Sequence, residues 1–151
     1  MREQARAMNV GKYRSCAIGL CCFFFATACN TIATYDQVAY EHATNAKVDA
    51  LALMDKATTP YSDHIKDIEA VQLELAKAAE YDNGRPLNRY TIELWKTLRS
   101  DSGILNRFLV SWKKSGTLSS TFIDDKKAHV ARAFDDIIQL ESGKIKTAQG
   151  Q

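Results

Sequence analysis

Residues 31–60 read TIATYDQVAYEHATNAKVDALALMDKATTP, and the spacing of their apolar side chains decides the fold class. Ile32, Tyr35, Ala39, Ala43, Ala46, Ala50, Leu53 and Ala57 step by threes and fours, the stripe of an amphipathic helix. Asp36, Glu41, Asn45, Lys47, Asp49, Asp55 and Lys56 fall mostly off that stripe. The pattern predicts a helix over 31–58, about 40 Å long at a rise of 1.5 Å per residue. Its ridge is rich in alanine, so a neighbouring helix can approach closely. Thr58-Thr59-Pro60 ends it, because proline disfavours helical geometry in the residue before it. Thr59 then reads as the cap, and Pro60 as the first residue, of a second helix.

That second helix, over 60–81, carries Ile65, Ile68, Val71, Leu75, Ala78 and Ala79 on one face. The short connection predicts an antiparallel hairpin with the first. Asn83-Gly84 reads as a left-handed stop and Pro86 as a block to continuation. A third segment, 88–99, groups Tyr90, Leu94, Trp95 and Leu98, and Ser100-Asp101-Ser102-Gly103 breaks it. A fourth, short helix holds Ile104, Leu105, Phe108, Leu109 and Trp112 and closes at Ser115-Gly116. Ser119-Ser120-Thr121 leads into a fifth, with Thr121 and Asp124 at capping-box spacing. Its stripe is Ile123, Val130, Phe134, Ile137 and Ile138, and Gly143 is expected to end it, leaving 144–151 as a polar tail. No window alternates β-branched residues in the manner of a strand. The expectation is an all-α fold, a small bundle of five helices, three long and two short, packed up and down.

Ahead of the bundle, Cys16-Ala17-Ile18-Gly19-Leu20-Cys21-Cys22-Phe23-Phe24-Phe25-Ala26-Thr27-Ala28 forms an apolar run closed by Cys29. Arg2, Arg6, Lys12 and Arg14 precede it against a single acid, Glu3. A basic head, a short apolar run and a small-x-small exit are the parts of a secretory signal peptide. The run is 13 residues long, whereas a membrane-spanning helix needs roughly 20. Met8 also suits as a start, since Lys12 and Arg14 remain as the basic head. An uncleaved N-terminal anchor is the alternative reading of the run.

Ala26-Thr27-Ala28-Cys29 resembles the lipobox of bacterial lipoproteins, in which small residues precede a cysteine that becomes the lipidated first residue. The family prefers Leu three residues before that cysteine, where this chain has Ala26. The same stretch satisfies ordinary secretory cleavage, so a secreted, unlipidated bundle stays as the other outcome. Both cut the same bond and leave Cys29 as the one cysteine of the mature chain. An unpaired thiol at a terminus is a liability in an oxidising compartment, and acylation removes it. The resemblance implies residues 1–28 as signal peptide and 29–151 as one domain anchored to the membrane through Cys29. In Gram-negative bacteria, Asp directly after the cysteine tends to retain a lipoprotein at the inner membrane. Asn30 stands there, so the resemblance implies the outer membrane, facing the periplasm.

Loss of the leader changes the charge. The whole chain carries +2, and without the four basic residues and one acid of the leader 16 Lys and Arg face 17 Asp and Glu. A mature charge near −1 gives no field to recruit nucleic acid.

Few residues offer chemistry. His42, His64 and His129 share no metal-binding spacing, although His129 has Asp125 one turn before it and Asp136 two turns after. That arrangement reads first as a charged surface stripe. Asp63-His64 opens a helix, where an acid is favoured by the helix dipole. Asp124-Asp125 and Asp135-Asp136 are adjacent on a helix and so point about 100° apart, away from any shared ion. No Gly-x-Ser-x-Gly elbow or phosphate-binding loop occurs. No cofactor and no metal site is expected. Trp95 and Trp112, with Arg99 and Arg107 near them, read either as a partner surface or as a hydrophobic seal under the short helices. The function expected is a non-enzymatic, lipid-anchored envelope protein that binds a partner or supports an assembly. The alternative is an enzyme or ligand carrier with a pocket between helices near Trp95 and Trp112.

Overall fold

Asp36 sets where the first helix begins: its extended backbone (φ −140°) precedes the helix, and its carboxylate accepts a hydrogen bond from the Ala39 N–H at 2.9 Å. This is an N-cap, which satisfies one of the orphan donors of the first turn. Helix α1 therefore spans Gln37–Asp55, and residues 32–36 approach it as non-helical chain, a later start than the sequence pattern suggests. The computed structural model describes residues 32–149, with side chains described through Lys144. The leader 1–28 and Cys29 lie outside the described residues.

The other helices are α2 (Ile65–Asn83), α3 (Arg89–Arg99), α4 (Ile104–Ser115) and α5 (Ser120–Gln149). Two 3-10 turns, Lys56–Thr58 and Tyr61–His64, connect α1 to α2. Among the described residues every regular element is helical and there is no strand. The all-α expectation holds. No described helix is long and apolar enough to cross a membrane.

The alanine ridge works as its spacing predicts. Ala39, Ala43, Ala46, Ala50, Leu53 and Ala57 are all buried, and α1 packs against both α2 and α5. Chain direction follows from contacts at the ends. Tyr81, late in α2, and Glu141, late in α5, both bond to Asp36 at the start of α1, so α2 and α5 run against it. Helices α3 and α4 succeed each other along one remaining column. Asn88, before α3, meets Lys144; Trp95 meets Phe134; Phe108 in α4 meets Phe122. Gly103 permits the break between them, since a Cβ there would stand 2.5 Å from the Leu98 carbonyl oxygen. Trp95, Leu98, Leu105, Phe108, Trp112, Val130, Phe134 and Ile137 fill the core between this column and α5. Each such side chain, fully buried, contributes roughly 1.5–3 kcal/mol of transfer free energy.

Four local expectations need correction. Gly84 is right-handed (φ −74°), and among the described residues the left-handed positions are Leu87 (φ 60°) and Gly116 (φ 76°). The cap of α5 is Ser119, whose hydroxyl accepts from the Phe122 N–H at 3.3 Å, rather than Thr121. Gly143 does not end α5, which continues to Gln149 and passes through Lys144, itself buried with partners in Asn88 and Glu141. Tyr90, in the first turn of α3, is 61% exposed and lies outside the core face that Trp95 and Leu98 form.

Candidate functional site

Charged and polar side chains rarely enter a core without partners. Here Asp82, Asn88, Thr91, Glu141 and Lys144 are all buried at one end of the bundle. Five pieces of chain supply the cluster: the segment before α1, the last turn of α2, the α2–α3 connection, the first turns of α3 and the late part of α5.

Arg85 stands at its centre. One guanidinium nitrogen donates to Asp82 at 2.9 Å and to Glu141 at 3.1 Å; the other donates to Glu141 at 3.1 Å and to the Thr34 carbonyl at 2.5 Å. The remaining capacity of Asp82 is taken by the Asn88 amide at 2.9 Å and the Trp95 indole N–H at 2.7 Å. Lys144 donates to Asn88 at 3.0 Å and to Glu141 at 2.5 Å, and the Thr91 hydroxyl donates to Asn88 at 2.8 Å. Glu141 also accepts the backbone N–H of Asp36 at 2.7 Å.

Three carboxylates (Asp36, Asp82, Glu141) thus meet two cations (Arg85, Lys144). Neighbouring charges shift the rim of the cluster. Burial acts to raise the Asp36 carboxyl, but hydrogen bonds from Ala39 and Tyr81 and the charge of Arg85 outweigh it and hold it below the usual carboxylate range. Tyr81 is raised by burial and by its hydrogen bond to Asp36. Burial opposes the Arg85 charge, yet its bonds to Glu141 and Asp82 raise it further.

The cluster holds the incoming chain. The Thr34 carbonyl is bound by Arg85, the Asp36 N–H by Glu141, and the Ala33 N–H by the Leu87 carbonyl at 3.1 Å. Ala33 is buried as a result. The chemistry of the cluster is that of a clamp, since its donors and acceptors are directed at one another and at this segment. The sequence carried faint signals of it. Asp82 reads as part of an Asp-Asn-Gly helix stop, and Glu141 and Lys144, three residues apart, straddle a glycine that looks like a terminus.

A second constellation at the opposite end was also missed. Thr59 Oγ1 lies 2.6 Å from His64 Nε2, and His64 Nδ1 lies 3.3 Å from Asp67. Hydroxyl, imidazole and carboxylate in that order have the outline of an acyl-transfer triad. The details point elsewhere. The Thr59 hydroxyl donates to the Lys56 carbonyl at 2.7 Å, and Asp67 is paired with Lys56 at 2.8 Å. Those hydrogen bonds from Lys56 and His64 lower the Asp67 carboxyl. The backbone N–H groups of Thr59, Tyr61 and Asp63 are spent on Lys56, Gly116 and Pro60, which leaves none of them to stabilise an oxyanion. These groups close the α1–α2 connection over Trp112, whose indole donates to the Thr59 carbonyl at 2.9 Å.

The residues singled out by sequence divide. Trp95 and Trp112 are 1% and 0% exposed, so both indoles seal the core, while Arg99 and Arg107 are exposed. The four do not form one surface, because the indoles point inward. Arg99 borders a groove of about 210 Å³ with Gln72, Leu75 and Leu109. Arg107 borders another, of about 460 Å³, with Phe108, Phe122, Lys126 and His129. Neither indole lines either groove. His129 lies 3.7 Å from Asp125 on an exposed face, and His42 packs edge-on to Tyr81 at 5.1 Å. Among the described residues no group of three His, Cys, Asp or Glu side chains is placed to hold a metal ion. In comparisons with protein-family models, curated proteins and solved structures, nothing matches the chain.

Proposed function

We propose that this chain is a lipid-anchored protein of the bacterial envelope, held through acylated Cys29 at the periplasmic face of the outer membrane. Its role there is to bind a partner or support an assembly, without catalysis. The working fold is an up-and-down bundle of five helical segments, three long and two short. The observation that carries the anchor is the sequence Ala26-Thr27-Ala28-Cys29 at the exit of a short apolar run behind a basic head. The clamp around Arg85 supports it from the folded side. Residue 33 is already fixed on the bundle, so only three residues separate it from Cys29, a reach of about 14 Å at full extension over four residue steps. A tether that short suits a protein working against its membrane better than one sampling the periplasm.

The clamp is in keeping with a binding or structural role, since its buried charged groups are directed at one another and at the incoming chain. The test is Cys29→Ser in a bacterial host. The variant is expected to lose the acyl mass, and either to keep its leader, which itself holds it at the membrane, or to be cleaved and leave the membrane fraction. A Ser variant that is cleaved ahead of residue 29 and still fractionates with the membrane as wild type does would contradict the proposal.

A further inference from the structure

The end of the bundle that receives the N-terminal segment carries apolar side chains that the core does not use. Leu87 is 54% exposed, Tyr90 61% and Tyr81 36%. Leu87 also has φ 60°, a left-handed conformation that a side chain branched at Cγ adopts at a cost and that Gly or Asn adopts easily. Its backbone has a task there, since the carbonyl takes the Ala33 N–H, but that task does not require leucine. Two costs, strain and exposed apolar surface, fall on one residue, and such outliers gather at functional positions. Beside it Arg89 lies 6.0 Å from the Tyr90 ring centroid, a cation over an aromatic face.

The length of chain ahead of this end says what covers it. Ala33 is bonded to Leu87 itself, and Cys29 is four residues upstream. An acyl chain on Cys29 therefore brings the lipid surface to within about 14 Å of Ala33, which is hydrogen-bonded to Leu87. Tyrosine, arginine and an apolar side chain are the residues that settle at a membrane–water boundary, with the ring body in the acyl edge and the polar tip among headgroups. From this we infer that the Leu87–Tyr90 end of the bundle inserts into the phospholipid headgroup boundary, a second membrane contact beside the acyl anchor. The inference rests on acylation of Cys29. The contact fixes the bundle upright, with the Trp112 end directed away from the lipid and the sides of α2, α4 and α5 free for a partner.

The test uses the full-length gene, expressed and processed in a bacterium, with the mature protein placed in vesicles of phosphatidylethanolamine and phosphatidylglycerol. Nitroxide labels are attached at L87C and, at the far end, S115C; power saturation against oxygen and a water-soluble nickel chelate reads depth. A label at Y90C repeats the first measurement at a site without backbone strain. Intact mass of the same samples reports acylation. The expected result is an acylated protein whose labels at 87 and 90 lie about 5–10 Å below the phosphate plane, with 115 in water. Acylated protein with all labels in water would overturn the contact and leave the anchor standing. Immersion of all three sites would overturn the upright end-on contact. A bare Cys29 thiol would overturn the anchor, and the contact with it.

Discussion

Arg85 and Glu141 face each other as two parallel hydrogen bonds, each 3.1 Å long, between residues 56 positions apart in the chain. Guanidinium and carboxylate geometries match in this fork, which adds direction to the attraction. The pair is buried on the Glu141 side and largely covered on the Arg85 side, with 2% and 12% side-chain exposure. Burying such a pair costs much of what its attraction returns, so its presence is a statement about geometry more than about net stability. What it fixes is the approach of residues 33–36 to the bundle.

Removing one partner is a different matter, because the other charges remain buried. Arg85→Met leaves Asp82 and Glu141 facing Lys144 alone and is expected to lower unfolding free energy by about 3–5 kcal/mol. Arg85→Lys keeps the charge but loses the fork, so it should fall between. Urea unfolding followed by far-ultraviolet circular dichroism gives the values. A loss below about 1 kcal/mol for Arg85→Met would show that the cluster is solvated.

The two tryptophans have different hydrogen-bond partners, which separates their substitutions. Trp95→Phe leaves an oxygen of the Asp82 carboxylate without a donor, whereas Trp112→Phe leaves only the Thr59 carbonyl. An unsatisfied buried group costs about 1–3 kcal/mol, more where it is charged. Trp95→Phe is therefore expected to destabilise more than Trp112→Phe. Equal losses would mean that packing volume alone sets both.

Much of this architecture was legible in the sequence, because alanine and leucine spacing reports helix faces directly. The stripe from Ala39 to Ala57 is the core edge of α1, and Ile68, Val71, Leu75, Ala78 and Ala79 are that of α2. The misses share a cause. Hydrophobicity groups Tyr90 with Trp95, yet its register places it outside, and Gly143 looks like a stop although glycine in mid-helix costs only about 1 kcal/mol. The buried ionic cluster could not be read, because Asp82, Arg85, Glu141 and Lys144 are ordinary surface residues until tertiary contact joins them. Thr59, His64 and Asp67 have no motif spacing either.

Three glycine and left-handed positions give substitutions of opposite sign. Gly103→Ala would set a Cβ 2.5 Å from a backbone oxygen, and the shift required should cost about 1–3 kcal/mol. Gly143→Ala meets nothing within 4 Å on a helix and should gain about 0.5–1 kcal/mol. Leu87→Gly should also gain up to about 1 kcal/mol by relief of its left-handed backbone. Thermal melts of the three variants decide this, and a stabilising Gly103→Ala would contradict the tight α3–α4 break.

The rim of the clamp predicts a pH dependence. Asp36 is lowered in the folded state, so its contribution is complete above the unfolded carboxyl value of about 3.9 and is lost as pH falls through the folded value. Tyr81 is raised, so its contribution is complete below the ordinary phenol value of about 10 and is lost as pH rises through the folded value. Asp36 is 31% exposed, which screens the effect to a modest size. Asp36→Asn keeps a good helix cap while removing the charge. Melting curves should show wild type above Asp36→Asn near neutral pH, with the gap closing below about pH 4. A gap that is constant from pH 3 to 7 would contradict the assignment.

The most direct measurement of the central claim is the intact mass of the mature protein from bacterial membranes, with fragmentation at its amino end. The account predicts a chain starting at Cys29 that carries a diacylglyceryl group and an amide-linked fatty acid. A free thiol at residue 29, or a leader still attached to the mature protein, would contradict it.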